Sequence, residues 1–126
     1  MKIAYNTAYF PPAPVLPVSL AIPDTTPEIG PLTALVDTGA DGTFIPATLL
    51  EQLNAPVIYN TNARTYLSER PRRVSIHQID LIIGAMRLPN IEVVSDDWNS
   101  EVIIGRNVLN KLNLHLHGPQ QITRLT

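Results

Sequence analysis

Ala34-Leu35-Val36-Asp37-Thr38-Gly39-Ala40-Asp41-Gly42 carries an apolar run straight into a carboxylate, a hydroxyl and a glycine. Leu32 to Val36 is too short and too β-branched to favour a helix, so it reads as a buried strand. A strand that ends this way delivers a reactive side chain into a tight turn. Gly39 and Gly42 permit the backbone angles and close approaches such a turn needs. A carboxylate at the end of a buried strand is costly unless it is hydrogen-bonded or put to use. Thr38 and the N–H groups of the turn can hold it.

A second stretch repeats the pattern. Val102-Ile103-Ile104-Gly105-Arg106-Asn107-Val108-Leu109 is again an apolar strand running into glycine, then a charge, then a helical pattern. In this order and separation, "ALVDTGAD" and "VIIGRNVL" resemble the retroviral-type (retropepsin-like) aspartic proteases. Asp-Thr-Gly alone recurs by chance, whereas Asp-Thr-Gly-Ala-Asp after an apolar strand, with Ile-Ile-Gly-Arg-Asn further on, is specific. The resemblance covers Val15 to His117.

The resemblance implies an all-β fold: a small closed acid-protease barrel with a flap hairpin, one or two short helices and one lobe per chain. It assigns Asp37 as the catalytic carboxylate. Thr38 would brace paired loops across a dimer, and Gly39 would let substrate backbone pass close, with Ala40 in the same supporting loop. Asp41 and Arg106 match a pair that ties the active-site loop to the C-terminal helix. Leu35, Phe44 and Ile103 match pocket-wall positions. Gly39, Asp41 and the flap residues Tyr66, Leu67 and Ser68 would also contact substrate. Purely structural roles exist for the same residues: Leu35 and Ile103 as core, Asp41 and Arg106 as a surface pair, Asp37 as a turn cap.

Aspartic proteolysis needs two carboxylates sharing one proton; one activates a water and the other polarises the scissile carbonyl. This chain supplies one Asp-Thr-Gly. Asp24-Thr25-Thr26 lacks the glycine and sits in a proline-bounded turn. The chain is too short for two lobes, so the resemblance implies a homodimer in which Asp37 of each copy meets on a two-fold axis. Polypeptide is the expected substrate, with no metal or organic cofactor. A reading from another class is a catalytically weak or inactive dimerisation or peptide-binding module of the same fold. The glycine-free flap favours that second reading, because flap closure needs backbone mobility. Other uses of the Asp37 turn fail on spacing. A calcium loop wants oxygen ligands at alternate positions, and Gly39 breaks that. No Gly-rich phosphate loop or serine-nucleophile motif is present.

Composition agrees with a folded protein. The chain is 44% hydrophobic and 16% charged, which argues against disorder. Its 126 residues suit one domain, 1–126, with residues 1–14 as an arm of uncertain structure. A net charge of −2 provides no basic field for nucleic acid. The absence of cysteine excludes disulfides and thiol chemistry and allows a reducing compartment. Prolines at 11, 12, 14 and 17 break the N-terminal region, so no signal peptide is read. No apolar run is long enough for a membrane span, and a cytoplasmic location is expected.

Along the chain, Val15 to Ile22 alternates as a strand, and Pro46 to Leu53 reads as a short helix ended by Asn54. Arg64 to Ile79 reads as a hairpin turning at Ser68-Glu69-Arg70-Pro71. Arg70, Arg72 and Arg73 make a small basic cluster, read first as a solvated loop. Ile79 to Ile83 and Ile91 to Val94 are further strands, with turns near Gly84-Ala85 and Pro89-Asn90. Asp96-Asp97-Trp98-Asn99 is a polar turn, and Trp98 is assigned to packing or subunit contact. Asn107 to Leu112 is a short helix. Leu114-His115-Leu116-His117 puts both histidines on one strand face; as zinc ligands they lack a third partner beyond His77. Gly118-Pro119 turns into a last strand, Gln121 to Leu125.

Overall fold

Alternating burial along strand-forming residues sets the sheets. The computed structural model describes residues 1–65 and 68–126, with the backbone alone for Thr65, Ser68 and Glu69. The strands are β1 (Lys2–Ala4), β2 (Val15–Ala21), β3 (Ile29–Val36), β4 (Thr43–Pro46), β5 (Val57–Thr65), β6 (Ser68–Ile83), β7 (Met86–Asp96), β8 (Val102–Ile104), β9 (Leu114–His117) and β10 (Ile122–Leu125). Two short helices join them, α1 (Ala47–Leu53) and α2 (Arg106–Leu109).

Six strands close into a barrel. They neighbour one another in the order β2-β3-β8-β4-β7-β6, and β6 pairs again with β2. The closing seam sets Ser19 against Ile82, Leu20 against Leu81 and Ala21 against Asp80. Closure removes the free edges an open sheet would leave. Leu16, Val18 and Leu20 of β2 meet Ala34, Ile45, Ile79, Leu81, Val93 and Ile104 in the core, all fully buried. Each large apolar side chain buried this way stabilises by about 1.5–3 kcal/mol. The expected all-β barrel with two short helices is the fold this chain adopts.

Helix α1 ends as expected. Asn54 takes the left-handed conformation at φ 57°, and the N–H of Ala55 returns to the Leu50 carbonyl. Pro46 is the residue before the helix rather than within it. Helix α2 starts one residue earlier than the pattern suggested and ends at Leu109.

Two expected turns prove to be bulges. β5 lies outside the ring and pairs with β6 as the flap hairpin. Thr65 pairs with Ser68, and Ser68 to Pro71 belong to β6. Tyr66 and Leu67 fall outside the described residues. Between the Ala63–Arg72 and Thr65–Ser68 pairs, one residue of β5 faces three of β6. Pro71 has no N–H to give a ladder, and a bulge is where a strand tolerates it. Likewise Pro89-Asn90 is no turn. It is a two-for-one bulge inside β7, opposite Asp80, with Asn90 at φ 54°.

Asp80 holds that bulge. Its side chain is 1% exposed and accepts the Asn90 N–H at 2.8 Å, the Asp24 N–H at 3.1 Å and Arg87 Nε at 2.8 Å. Burial alone raises its pKa; the Asn90 N–H, the Arg87 guanidinium and the Asp24 N–H outweigh that and hold it below the ordinary value.

The N-terminal arm is also placed. β1 pairs with β10, which pairs with β9, in a separate three-stranded sheet. The Met1 amine donates to the Leu125 carbonyl at 2.8 Å, tying the two ends of the chain together. Among the described residues no helix is long and apolar enough to cross a membrane.

Candidate active site

The site begins where β3 leaves the sheet. β3 and β8 run parallel with Leu35 beside Ile103 and Val36 beside Ile104. The next residue, Asp37, donates its N–H to the Ile104 carbonyl at 3.0 Å. Its Oδ1 accepts the Gly39 N–H at 2.9 Å, and the Ala40 N–H reaches the Asp37 carbonyl at 3.3 Å. One carboxylate oxygen therefore holds the turn. Asp37 lines an open cleft of about 390 Å³.

Helix α2 docks directly on this turn. The N–H of Arg106 donates to the Ala40 carbonyl at 2.8 Å, and the N–H of Asn107 to the Asp41 carbonyl at 3.3 Å. Such an approach requires glycine at 105, since a Cβ there would lie 1.9 Å from the Gly42 carbonyl oxygen. The φ of Gly105 is −97°, so space is what is demanded, not an unusual backbone angle.

The Asp41 and Arg106 side chains were expected to meet, and they do not. Among the described residues they form no ion pair; Arg106 Nη1 donates instead to the Thr38 carbonyl at 2.9 Å. Docking of α2 brings that main-chain acceptor within reach, while the Asp41 carboxylate stays exposed in the cleft. Loop and helix are tied, but through the backbone.

A buried network underlies the turn, and its key member, Thr43, escaped the sequence reading. Thr43 is fully buried. Its Oγ1 accepts the Gly105 N–H at 3.1 Å and donates to Asn107 Oδ1 at 2.7 Å. Asn107 Nδ2 donates to the Glu92 carbonyl at 3.0 Å. Thr43 sits just past the Gly42 turn and Asn107 within the second stretch, so only their spatial meeting was hidden.

The walls combine predicted and unpredicted residues. Leu35, Ile103 and Phe44 form one row across β3, β8 and β4. Phe44 and Ile103 line the cleft, and Leu35, half-buried in the same row, does not. Trp98 packs edge-to-face on Phe44, centroids 6.4 Å apart. Arg72, from the flap strand, lies over the Trp98 ring at 4.8 Å, a cation–π contact. Arg64, Asp96 and Asn99 complete the lining. The expected polar turn is real: Asp96 Oδ1 accepts the N–H groups of Trp98 and Asn99, each at 3.0 Å. That Trp98, Asp96 and Arg64 share a cleft with Asp37 had no local sequence signal. Of the flap candidates, Tyr66 and Leu67 lie outside the described residues, and Ser68 is placed by its backbone pairing with Thr65.

The loop after β7 is anchored from the N-terminal arm. The Tyr9 hydroxyl donates to Glu101 Oε1. Burial, that hydrogen bond and the Glu101 charge push the Tyr9 pKa up to about 12. Among the described residues no three His, Asp or Glu side chains gather as metal ligands. His77 is buried with Nδ1 on the Ala55 carbonyl at 3.0 Å, and His115 and His117 stack on each other.

The same architecture occurs elsewhere. A retropepsin-like aspartic protease from Rickettsia conorii superposes with a TM-score of 0.69 at 15% identity, covering 99% of this chain and 88% of that one. The EIAV protease complexed with the inhibitor HBY-793 gives 0.56 at 18% identity, covering 86% and 93%. The retroviral protease-like domain of Ddi1 from Leishmania major gives 0.54 at 18% identity, covering 88% and 87%. No curated protein matches in sequence. Residues 28–111 match the family described as "gag-polyprotein putative aspartyl protease". That span runs from β3 through α2 and holds both the Asp37 turn and the helix docked on it, so the chain belongs to this aspartyl protease family and carries its retropepsin-like fold.

Proposed function

We propose that the protein is a homodimeric aspartic endopeptidase whose catalytic dyad is Asp37 from each of two copies. The observation that carries this is a single Asp-Thr-Gly turn per chain, rigidly docked yet opening on a cleft. Neither other carboxylate of the cleft suits the second role: Asp96 is buried with one oxygen holding its own turn, and Asp41 follows too closely in the same loop. A second copy supplies what one chain lacks.

In the dimer, one Asp37 takes a proton from a water whose oxygen attacks the scissile carbonyl carbon. The other, protonated, gives its proton to the carbonyl oxygen, forming a neutral tetrahedral diol. The peptide nitrogen is then protonated by the first Asp37, a hydroxyl proton returns to the dyad, and the C–N bond breaks. Gly39, Ala40 and Arg106 hold the turn, while Phe44 and Ile103 receive side chains of an extended polypeptide. Thr38, Asp41 and Leu35 support or flank that path. Tyr66, Leu67 and Ser68 would cover it from the flap.

The copies would meet along β9. Its outer edge has no strand partner among the described residues, and Leu116 is 47% exposed on it. A cytoplasmic location remains part of the proposal. A second reading, a peptide-binding module with weak catalysis, is favoured by the flap sequence, where neither residue between Thr65 and Ser68 is glycine. Cleavage of an unfolded protein substrate by wild type and by Asp37→Asn separates the two. Cleavage that is blocked by a transition-state peptide mimic and lost in Asp37→Asn supports the enzyme. Equal activity in both preparations rejects Asp37 as the catalyst.

A further inference from the structure

Asp96 lines the cleft, yet the proposed chemistry gives it no task. The residue is 1% exposed. Its Oδ1 accepts two N–H groups of its own turn. Its Oδ2 is buried as well and has no hydrogen-bond partner among the described residues. An acceptor oxygen in that position carries a desolvation cost until something donates to it. The turn does not require it, since asparagine would present the same single acceptor to the same two N–H groups. The second oxygen is surplus to the fold.

Its surroundings indicate what would donate. Asp96 ends β7 opposite Pro46 of β4 and shares the cleft with Asp37. Beside it stand Phe44 and Trp98, an aromatic pair along which a long aliphatic stem can lie. Arg64 lines the same cleft from the flap strand but makes no ion pair with Asp96. The cleft therefore combines an apolar wall with a carboxylate oxygen that this chain's described residues leave without a donor. A side chain with an apolar stem and a cationic, donor-bearing tip satisfies both.

We infer that Asp96 makes this end of the cleft a specificity subsite for a basic residue of the polypeptide substrate, lysine or arginine. The tip donates to Oδ2 while the stem packs on Phe44 and Trp98. This rests on the cleft being the peptide-binding site. Residues 97 and 99 to 101 are exposed and lie outside the strands, and this turn opens as the substrate's side chain displaces Arg72 from the Trp98 ring and reaches Asp96. A hydrogen bond between charged partners discriminates against a neutral isostere by roughly tenfold or more.

The test uses the full-length Asp37→Asn chain, which binds without cutting. Peptide pools carry lysine, norleucine or glutamate fixed at one position at a time. Trp98, the single tryptophan, reports occupancy through its emission. At one position the lysine pool should bind about tenfold tighter than the norleucine pool, with glutamate weaker than both. Adding Asp96→Asn should erase the lysine advantage; the amide keeps an acceptor for the turn, and matching unfolding midpoints verify that the fold is retained. Equal lysine and norleucine binding at every position would overturn the inference. So would a lysine advantage that survives Asp96→Asn, or the failure of every pool to shift Trp98 emission. Lack of cleavage by the wild-type chain, with the lysine advantage intact, would fail the protease reading and leave this one standing.

Discussion

Gly105→Ala should damage both the fold and the site, and the size of the effect follows from one distance. The new methyl carbon would lie 1.9 Å from the Gly42 carbonyl oxygen and 2.9 Å from that of Ala40. Both obstacles are backbone, so no side chain can swing aside. Relieving the overlap requires α2 to withdraw by roughly 1 Å, since contacts closer than about 3 Å are strongly repulsive. That movement breaks the bonds from Arg106 to Ala40 and from Asn107 to Asp41, and it strains the Gly105 bond to Thr43. Lost hydrogen bonds at about 1 kcal/mol each, with overpacking of about 1–3 kcal/mol, give a cost of about 3–5 kcal/mol. Against a total stability of about 5–15 kcal/mol this is severe. Urea unfolding followed by Trp98 fluorescence should show a midpoint lowered by about 2 M, from a slope of about 1–3 kcal/mol per molar. Gly118→Ala is the control: nothing lies within 4 Å of where its methyl carbon would sit, and the change should stay within about 0.5 kcal/mol. A Gly105→Ala midpoint equal to that of wild type would refute the docking geometry.

Three further changes probe other parts of the account. Thr43→Val keeps the shape but leaves the Gly105 N–H and Asn107 Oδ1 without their buried partner, costing about 2–3 kcal/mol in urea unfolding; a neutral result would show that the network is dispensable. Asp80→Asn should destabilise by about 2–4 kcal/mol near neutral pH. Because the folded state holds the Asp80 pKa below its unfolded value, its contribution is complete above about pH 4 and is lost as pH falls through the folded pKa. The gap between wild type and Asp80→Asn should therefore narrow in acid, and a gap that stays constant would contradict the linkage. Leu116→Asp should weaken self-association at least about tenfold in sedimentation without lowering monomer stability by more than about 0.5 kcal/mol; unchanged association would move the interface away from β9.

What could be read from the sequence was local. The Asp37 turn, the strand running through Gly105 into a short helix, and the Asn54 helix end each follow from residue types a few positions apart, and the structure keeps all three; that Gly105 is demanded by the Gly42 carbonyl is visible only in space. Bulges were misread because proline and asparagine signal turns and bulges alike. Pro71 and Pro89-Asn90 interrupt the ladder without reversing the chain, and only the partner strand distinguishes the two. The N-terminal arm could not be placed because its partner, β10, lies at the opposite end of the chain. No local pattern encodes such a pairing. The same limit hid the site's outer half. Arg64, Asp96 and Trp98 join Asp37 only because a closed barrel brings the flap strand and the loop after β7 to the same end. Arg106 shows a subtler limit. The sequence suggested that it serves the active-site loop, which it does, but a guanidinium donates to a carbonyl or a carboxylate equally well. The docking distance of α2 decided for Thr38.

The dyad shared between two copies is tested most directly by measuring cleavage per chain across a dilution series while sedimentation reports the dimer fraction. Activity per chain should track that fraction, falling toward zero as the dimer dissociates and levelling off once dimerisation saturates. Undiminished activity per chain in a preparation that sediments as monomer would contradict the account.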